Sequence, residues 1–400
     1  MFFMMSLAAM VSCGLQEIGG HSKDDKEDVW IGPGTGIVNG GTEGPVRSVW
    51  YMTGFDYPED YDWRSDPVAG EVKCSLVVFA NGIPMMKVPV GHEYEVSSDP
   101  DMHRMVGSDL YTDYSTDSLT VIRKNGQRMF SYPGREMIVG MYVDGEDVYT
   151  LGQSRSGKGF TYRRNGELLM GRSNGTLFDT FFKTDAGCAF VFYESVMSES
   201  ETLERYFICI EGVVSQIAVR EDITKVWDVL YKDGRLFYIA TIVGFKQPVL
   251  VSEDSMHSLV LGKQTVMRTC RFVPSASGVA VDCVAQHITA GTYTGGFWRD
   301  GKIESTFPTG FLPIYSCAWE DGICCILEGV TTGRQKIFRT GEIYEMPEGY
   351  AVMGTCPMAV ADGILYVGLT PSEGKEPQVW KDGELQPVKL NGYISSISVP

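Results

Sequence analysis

Short apolar stretches alternate with charged turns along most of the chain, and similar turns recur at regular distances. The clearest example is the segment 379–385, VWKDGEL, in which one apolar run meets Asp-Gly and a second run follows. Altered copies occupy 298–303, 162–168 and 122–126. Asn-Gly or Asp-Gly between two such runs is the strongest short-range signal of a β-hairpin. The pattern therefore predicts strands that are joined in pairs by tight turns.

The turns form two series that share a period of about 40 to 47 residues. The first series has eight members, at Gly82, Gly126, Gly166, Gly212, Asp254, Gly301, Gly341 and Gly383. The second series lies between them, at Gly145, Gly187, Gly234, Gly278, Gly322 and Gly363. Four strands per unit with this turn order are typical of a β-propeller blade. We predict an all-β propeller of eight four-stranded blades, with seven as the alternative because Asp254 has no turn glycine.

The two ends of the repeat region are complementary. The last strand candidate, 393–399, is of the kind that opens a unit, and the three strands that should follow it are missing. The first candidates, 48–54, 76–79 and 83–88, have no opening strand. We therefore expect the C-terminal strand to pair with the N-terminal blade and to be its innermost strand. This closure leaves no open sheet edge between the two ends.

Side-chain size indicates which strand of each unit lies nearest the propeller axis. The strands ahead of the second turn series, such as 138–143 and 314–319, are almost continuously apolar, as expected for strands covered on both faces. An apolar set at 223–230 fits a helix or a strand, and we predict a strand because a tight turn follows it. The aromatic residues ahead of the outer turns are expected to pack between blades; they are Phe79, Tyr162, Phe297, Trp298, Phe338 and Trp380.

The beginning of the chain differs from the repeat region. Residues 1–13 form an apolar run that ends in Cys13 and is too short to span a bilayer. Residues 14–46 are rich in Gly, Asp, Glu and Lys and predict a flexible tether, after which 47–400 forms the propeller. Residues 1–13 resemble the hydrophobic region and lipobox of a bacterial lipoprotein signal. The resemblance implies that cleavage leaves Cys13 as the lipidated first residue.

The hairpin repeat also resembles a known group of proteins. An aromatic residue, then Lys or Arg, then Asn-Gly or Asp-Gly, behind a lipobox-like leader, is similar to the β-propeller repeat lipoproteins of Bacteroidetes. The resemblance covers 47–400 as a repeat pattern. It implies a cell-envelope protein that is lipid-anchored in the outer membrane, facing the periplasm or the outside. It carries over no catalytic residue.

Charge and cysteine usage narrow the classes of partner. The chain has 34 basic and 51 acidic residues and a net charge of -17, which argues against nucleic acid and against an anionic membrane surface. The ten cysteines form no C-x-x-C motif, and the five histidines show no metal-ligand spacing. We predict no metal or cofactor, a monomer, and contact with the membrane only through the lipid anchor.

The candidate binding site lies on the loops of one face. Connections from the second to the third strand, and from one blade to the next, emerge together, and function concentrates on such loops. The most unusual loop is 55–66, where three aromatic residues that we expect to be exposed stand among five carboxylates. The aromatic rings are suited to stacking on sugars or contacting a protein partner, and the carboxylates are suited to holding calcium. Its candidate ligand-binding residues are Tyr57, Asp60, Tyr61, Asp62 and Trp63. The alternative is a solvated insertion with one aromatic residue folded back.

A second group of candidates borders the mouth of the central channel. The crossovers place there Arg135, Glu136, Asp179, Arg220, Asp222, Tyr350 and Tyr393. Two carboxylates at a suitable separation perform general acid and base chemistry on polysaccharides. We expect a binding module for an unknown protein or glycan, with no catalytic residue assigned. The alternative is a propeller hydrolase or lyase that uses these carboxylates.

Overall fold

The computed structural model is built from strands, turns and irregular segments throughout the part of the chain that it describes. That part comprises residues 30–31, 49–63, 74–90, 103–115, 118–153, 159–184, 186–197, 202–217, 223–245, 247–253, 255–262, 265–273, 275, 278–319, 322–339, 341–354, 357–372 and 375–399. Cys13, Arg220 and Asp222 lie outside it, as do the segment 1–13 and all of the predicted tether except 30–31. None of the described residues belongs to a helix with the length and hydropathy of a membrane span.

Eight antiparallel sheets form the eight blades of a β-propeller, numbered I to VIII in chain order. Blade I contains β1 (Trp30–Ile31), β2 (Tyr51–Asp56), β3 (Cys74–Ala80) and β4 (Ile83–Val90). Blade II contains β5 (His103–Val106), β6 (Asp109–Ser115), β7 (Leu119–Lys124) and β8 (Gln127–Pro133). Blade III contains β9 (Met137–Asp144), β10 (Asp147–Gln153), β11 (Phe160–Arg164) and β12 (Glu167–Arg172). Blade IV contains β13 (Thr176–Thr184), β14 (Gly187–Met197), β15 (Thr202–Ile210) and β16 (Val213–Gln216).

The second half of the chain continues the same order. Blade V contains β17 (Ile223–Lys232), β18 (Arg235–Ile242), β19 (Val249–Val251) and β20 (Met256–Ser258). Blade VI contains β21 (Thr265–Val273), β22 (Ala280–His287), β23 (Tyr293–Arg299) and β24 (Lys302–Thr306). Blade VII contains β25 (Phe311–Trp319), β26 (Gly322–Gly329), β27 (Gln335–Arg339) and β28 (Glu342–Glu345). Blade VIII contains β29 (Tyr350–Ala351), β30 (Met358–Ala361), β31 (Ile364–Pro371), β32 (Gln378–Lys381) and β33 (Glu384–Pro387).

The last strand, β34 (Gly392–Ser398), returns to blade I and pairs with β2. Met52 lies opposite Ile397 in this antiparallel pair, and the sheet order is β34-β2-β3-β4-β1. The C-terminus therefore supplies the strand that opens blade I. The strand β1, which pairs with β4 on the opposite side, was not predicted, since its two residues fall within the predicted tether.

The predicted hairpin turns are present and confirm the count of eight blades. In a typical turn two successive residues adopt positive φ, as in Asn165 (51°) and Gly166 (83°), a conformation that Asn and Gly tolerate best. The turn of blade V has no glycine and is closed instead by the Ser252 N–H, which donates to the Ser255 carbonyl at 2.9 Å. The seven-bladed alternative is therefore wrong. The ambiguous set at 223–230 lies in β17, as predicted.

The opening strands of successive blades contact one another and form the inner ring. Hydrogen bonds also join them: Arg104 of β5 donates to Met141 of β9, and Ser395 of β34 lies 3.2 Å from the His103 ring of β5. Register shifts interrupt this strand in blades I and III to VII. Such bulges increase local twist and redirect a side chain.

The core lies between blades, where the aromatic residues ahead of the outer turns are buried as predicted. Trp380 packs with Ile326 and Ile337 of blade VII, and Tyr162 packs with Phe190 of blade IV. Burial of one such side chain stabilises the fold by roughly 1.5 to 3 kcal/mol. Each blade is thus stabilised mainly by its neighbours.

The opening strand of blade VIII is divided. The strands β29 and β30 both pair with β31, and 352–357 separates them. The Gln335 side chain binds the N–H of Val352 at 2.6 Å, and the Tyr315 hydroxyl donates to the carbonyl of Gly354. Backbone groups that would have paired with β31 are thus satisfied by side chains of blade VII.

Candidate functional site

Antiparallel pairing places the candidate residues on one face of the propeller. In blades II to VIII the tight turns join the first strand to the second and the third to the fourth, and in blade I a tight turn joins β3 to β4, so the other connections emerge at the opposite end. We call this end the loop face. Tyr57, Tyr61 and Trp63 follow β2 there, and Tyr350 and Tyr393 lie at the starts of β29 and β34.

Six rings form a continuous series, the aromatic ladder, from this loop to the inner ring. Its members, in order of contact, are Tyr61, Tyr57, Trp63, Tyr393, Phe55 and His103. Neighbouring ring centroids lie 5.0 to 6.2 Å apart, and the rings of Tyr57 and Trp63 are nearly parallel, at 13°. Tyr57, Tyr61, Trp63 and Tyr393 are half-buried, whereas Phe55 and His103 are buried. The outer part of the ladder is therefore an apolar shelf that solvent reaches.

Asn391 fixes the base of the aromatic loop. Its carbonyl accepts from the Tyr57 N–H at 2.9 Å, and its own N–H donates to Asp56 Oδ1 at 2.9 Å. Its side-chain amide donates to the carbonyls of Tyr57 (3.3 Å) and Pro58 (2.5 Å). The adjacent Gly392 is required by close packing, because a Cβ there would lie 1.9 Å from the Phe55 carbonyl oxygen. The loop is thereby held to the C-terminal strand.

The two tyrosines at the centre of the ladder remain neutral phenols over the physiological range. Burial raises the pKa of Tyr393 to about 12. Burial, reinforced by the neighbouring Tyr393, also raises the pKa of Tyr57 well above its ordinary value. Both hydroxyl groups are therefore suited to hydrogen bonding rather than to acting as bases.

Beside the ladder, a cleft of about 700 Å³ separates blades VIII and I. It is lined by Asp56, Tyr57, Pro58, Glu59, Lys87, Lys375, Glu376, Lys389, Leu390 and Asn391. The Lys87 ammonium binds Asp56 at 2.7 Å, and Lys375 donates to the Glu348 carbonyl at 3.1 Å. Tyr350 supports this wall, since its hydroxyl donates to the Glu376 carbonyl at 3.3 Å and Lys375 lies 5.3 Å from its ring centroid. Tyr57 thus lines the cleft, and Tyr350 contacts two residues of its lining.

The acidic candidates of the aromatic loop face solvent. Asp60 and Asp62 are exposed next to the shelf. Among the described residues no group of three or more His, Cys, Asp or Glu side chains is arranged to hold a metal ion.

Arg135 and Glu136 lie in the connection from blade II to blade III, where Glu136 has a structural role. Its Oε1 pairs with Arg163 Nη2 at 2.9 Å, and its Oε2 accepts from the Thr161 hydroxyl at 2.8 Å. Arg163 and Glu136 are each only 13% exposed in their side chains. Arg135 is half-buried and lies two residues before β9 begins. Asp222, the proposed partner carboxylate, lies outside the described residues, and of Asp179 only the backbone is described.

Sequence reasoning missed a buried ionic cluster on the inner ring. Asp228 of β17 accepts from the Phe272 N–H at 2.7 Å and from the Val229 N–H at 2.8 Å. Arg271 binds Asp282, whose side chain is 1% exposed, with Nε 3.0 Å from each carboxylate oxygen. Burial raises the pKa of Asp228 to about 6 and also raises that of Asp282, which Arg271 opposes. A signal was available, because Asp228 and Arg271 interrupt strands that should be apolar.

No protein-family model matches the chain, and no curated protein matches it in sequence. Solved structures with similar folds are distant. A dihydro-heme d1 dehydrogenase, NirN, has 10% identity over 87% of this chain and 74% of its own, with a TM-score of 0.47. The β-propeller domain of the Trilobed protease from Pyrococcus furiosus has 8% identity over 80% of this chain and 87% of its own, with a TM-score of 0.37.

A puromycin-hydrolysing peptidase from Mycobacterium tuberculosis has 15% identity over 66% of this chain, with a TM-score of 0.40. This chain spans about half of that peptidase, 48% of its length. These similarities concern the fold alone.

Proposed function

We propose that this protein is a cell-envelope lipoprotein whose propeller binds a glycan on its loop face. The observation that carries the proposal is the aromatic ladder. Sugar rings present apolar C–H faces, and tyrosine and tryptophan rings offer them a flat surface with a polar edge. A ligand site is typically concave and mostly apolar, with a few polar groups that fix orientation.

The position of the ladder supports a binding role. Four of its rings are reached by solvent, although burying them in the core would have stabilised the fold. The cleft beside it provides ammonium and carboxylate groups, such as Lys389 and Glu59, within reach of sugar hydroxyls. Because Asn391 and the pairing of β34 hold the loop, the shelf is ordered before a ligand arrives, which reduces the entropic cost of binding.

The envelope location rests on the lipobox-like segment and on cysteine chemistry. Cys270 and Cys283 lie directly opposite each other in β21 and β22 and form a disulfide. Disulfides persist mainly in oxidising compartments outside the cytoplasm. Palmitate labelling of whole cells tests the anchor: labelling that depends on Cys13 supports the proposal, and equal labelling of a Cys13→Ala variant contradicts it.

The binding function is tested by glycan-array screening of the propeller, followed by substitution of the shelf. We expect Tyr61→Ala and Trp63→Ala to weaken binding of any glycan hit by at least about tenfold, that is about 1.4 kcal/mol. Tyr344→Ala on the outer strand of blade VII is the matched control and should bind normally. Equal binding by all three variants would show that the ligand lies elsewhere.

The alternative of a hydrolase or lyase gains no specific support. Both oxygens of Glu136 are held within blade III, so the residue is not presented to a substrate as a general acid. Incubation with bacterial and plant polysaccharides provides the discriminating measurement. Release of reducing ends that is lost in Glu136→Gln would favour catalysis over binding.

A further inference from the structure

The inner ring differs in charge from the rest of the molecule. The whole chain has 34 basic and 51 acidic residues. The opening strands of the eight blades reverse this balance. Their basic residues are Arg104, Lys183, Lys225, Lys232, Arg268 and Arg271, and their acidic residues are Asp144, Asp179 and Asp228.

Three of these cations lie at the loop-face end of the ring, which we call the channel mouth. Arg104, Lys225 and Arg268 each fall within the first four residues of their strands, as does the acidic Asp179 of β13, and each of these strands begins at the loop face. Lys225 and Arg268 are exposed, and Arg104 is half-buried. Arg268 is also the extra residue of the bulge in β21, a position that redirects a side chain.

Neutral groups hold all three cations. Arg104 donates to the Met141 carbonyl at 2.8 Å and lies 5.5 Å from the ring centroid of Tyr142. The Lys225 ammonium lies 3.5 Å from the ring centroid of Trp227. The Arg268 Nε and Nη2 donate to the Gln286 side-chain oxygen at 3.0 and 2.5 Å. These contacts orient the cations without cancelling their charge.

Of the three cations further along the inner strands, Lys232 donates to the backbone carbonyls of Ser275 and Gly278 at 3.0 and 2.7 Å, whereas the other two pair with carboxylates. Lys183 pairs with Asp144 at 2.9 Å, and Arg271 pairs with Asp282 at 3.0 Å. Among the opening-strand residues at the channel mouth three cations outnumber one carboxylate, Asp179, and such an excess of one sign of charge attracts ions of the opposite sign.

The aromatic ladder ends at this same place. Its last ring is His103, the residue before Arg104, and Tyr393 is the second residue of the neighbouring strand β34. A chain of sugars lying along the ladder would therefore point towards Arg104 and the centre of the ring.

We propose that the ligand is an acidic oligosaccharide whose sugar rings lie on the aromatic shelf and whose carboxylates bind Arg104, Lys225 and Arg268 at the channel mouth. This inference rests on the proposed function and specifies its ligand class. Guanidinium and ammonium groups bind carboxylates through short, charge-assisted hydrogen bonds.

Isothermal titration of the propeller against two matched probes tests the proposal. One probe is the α-1,4-linked tetramer of galacturonic acid, and the other is the same tetramer with every carboxylate reduced to the alcohol. We expect the acidic tetramer to bind at least about tenfold more tightly. Raising the ionic strength from about 0.01 to 0.15 M should weaken it, because the Debye length falls from about 30 to 8 Å.

Charge-matched variants locate the effect. The triple variant Arg104→Gln, Lys225→Met, Arg268→Gln should lose the preference for the acidic tetramer. The control variant Arg128→Gln, Arg235→Gln, Lys302→Met changes the net charge equally at exposed positions away from the loop face and should keep it. Lys225→Met alone, at an exposed site, should lower the affinity about threefold or more and guards against misfolding of the triple variant.

The outcomes separate this inference from the binding function. Equal affinity for the two tetramers, or equal loss in both triple variants, would overturn the acidic-ligand proposal and leave the glycan-binding function standing. Binding of a neutral glycan without binding of either tetramer would also overturn the acidic-ligand proposal and leave the glycan-binding function standing. Failure of every glycan to bind would overturn both.

Discussion

Two junctions of the ring are built from different interactions. Where the ring closes, β34 joins β2 through backbone pairing, a hydroxyl pair between Thr53 and Ser396 at 2.6 Å, and buried Ile394 and Ile397. Blades V to VII are joined on the inner ring by buried charges. Asp228 accepts from the Phe272 N–H at 2.7 Å, and Arg271 reaches the Pro313 carbonyl at 3.3 Å.

The difference determines how each junction responds to perturbation. The closure is held by apolar burial and neutral hydrogen bonds, so it depends on the presence of the strand and little on pH. The junction of blades V to VII contains buried carboxylates, so its stability depends on the ionic and hydrogen-bond partners of those carboxylates. Three predictions test this contrast.

Removal of β34 should have the largest effect. Deletion of 392–400 leaves the Met52 side of β2 unpaired and removes Ile394 and Ile397 from the core. Loss of such a side chain typically costs about 2–5 kcal/mol, and a whole domain is stable by only about 5–15 kcal/mol. We expect no cooperative thermal transition by circular dichroism. Ile397→Val should still fold, and a deleted protein that melts normally would contradict the closure.

Breaking the ion pair of the buried Asp282 should have the next largest effect. Arg271→Met leaves the Asp282 carboxylate buried without its cation, which should cost about 3 kcal/mol in urea unfolding, at the low end for buried pairs because the Arg271 side chain is 43% exposed. The double variant Arg271→Met, Asp282→Leu should recover part of that loss, because it removes the isolated charge as well. If the loss of stability in the double variant, relative to the wild type, equalled the sum of the losses in Arg271→Met and Asp282→Leu alone, the pair would not be coupled.

The pH response of Asp228 should be smaller. Its pKa is raised from 3.8 to about 6 because burial outweighs the two backbone donors, with Asp282 and Arg271 nearby. The folded state therefore favours the protonated acid, and the resulting stability is present below about pH 4 and is lost as the pH rises through 6. At about 1.4 kcal/mol per pKa unit, the loss is on the order of 2–3 kcal/mol.

Asp228→Asn provides the reference for that measurement. As the pH rises from 4 to 7, the unfolding free energy of the wild type should fall relative to that of this variant. A difference that stays constant over this range would show that Asp228 does not titrate with folding. Thr53→Val at the closure should show no such pH dependence.

Much of the fold could be predicted from the sequence because each tight turn depends on residues that are adjacent in the chain. Gly166 and Gly383 each follow an Asn or Asp in a conformation that few other residues adopt, so the sequence marks the hairpins directly. The turn at Ser252 was found only from the spacing of its neighbours. The interruption between β29 and β30 could not be predicted, since it depends on Gln335 and Tyr315 from another blade.

The candidate site was predicted in part. The loop at 57–63 was recognisable from its composition, and the structure brings it to Tyr393, which was selected separately. Glu136 shows the limit of this reasoning: its position near a strand start was predicted, but not its pairing with Arg163 across blade III. The cations of the inner ring were missed because the innermost strands were treated as wholly apolar.

Hydrogen exchange of the full chain with and without a bound oligosaccharide tests the central claim most directly. The account predicts slower exchange at 51–63 and 391–395, around the aromatic ladder, with smaller changes at the channel mouth near Arg104. Protection confined to the tight turns on the opposite face, such as those at Gly166 and Gly383, would contradict it.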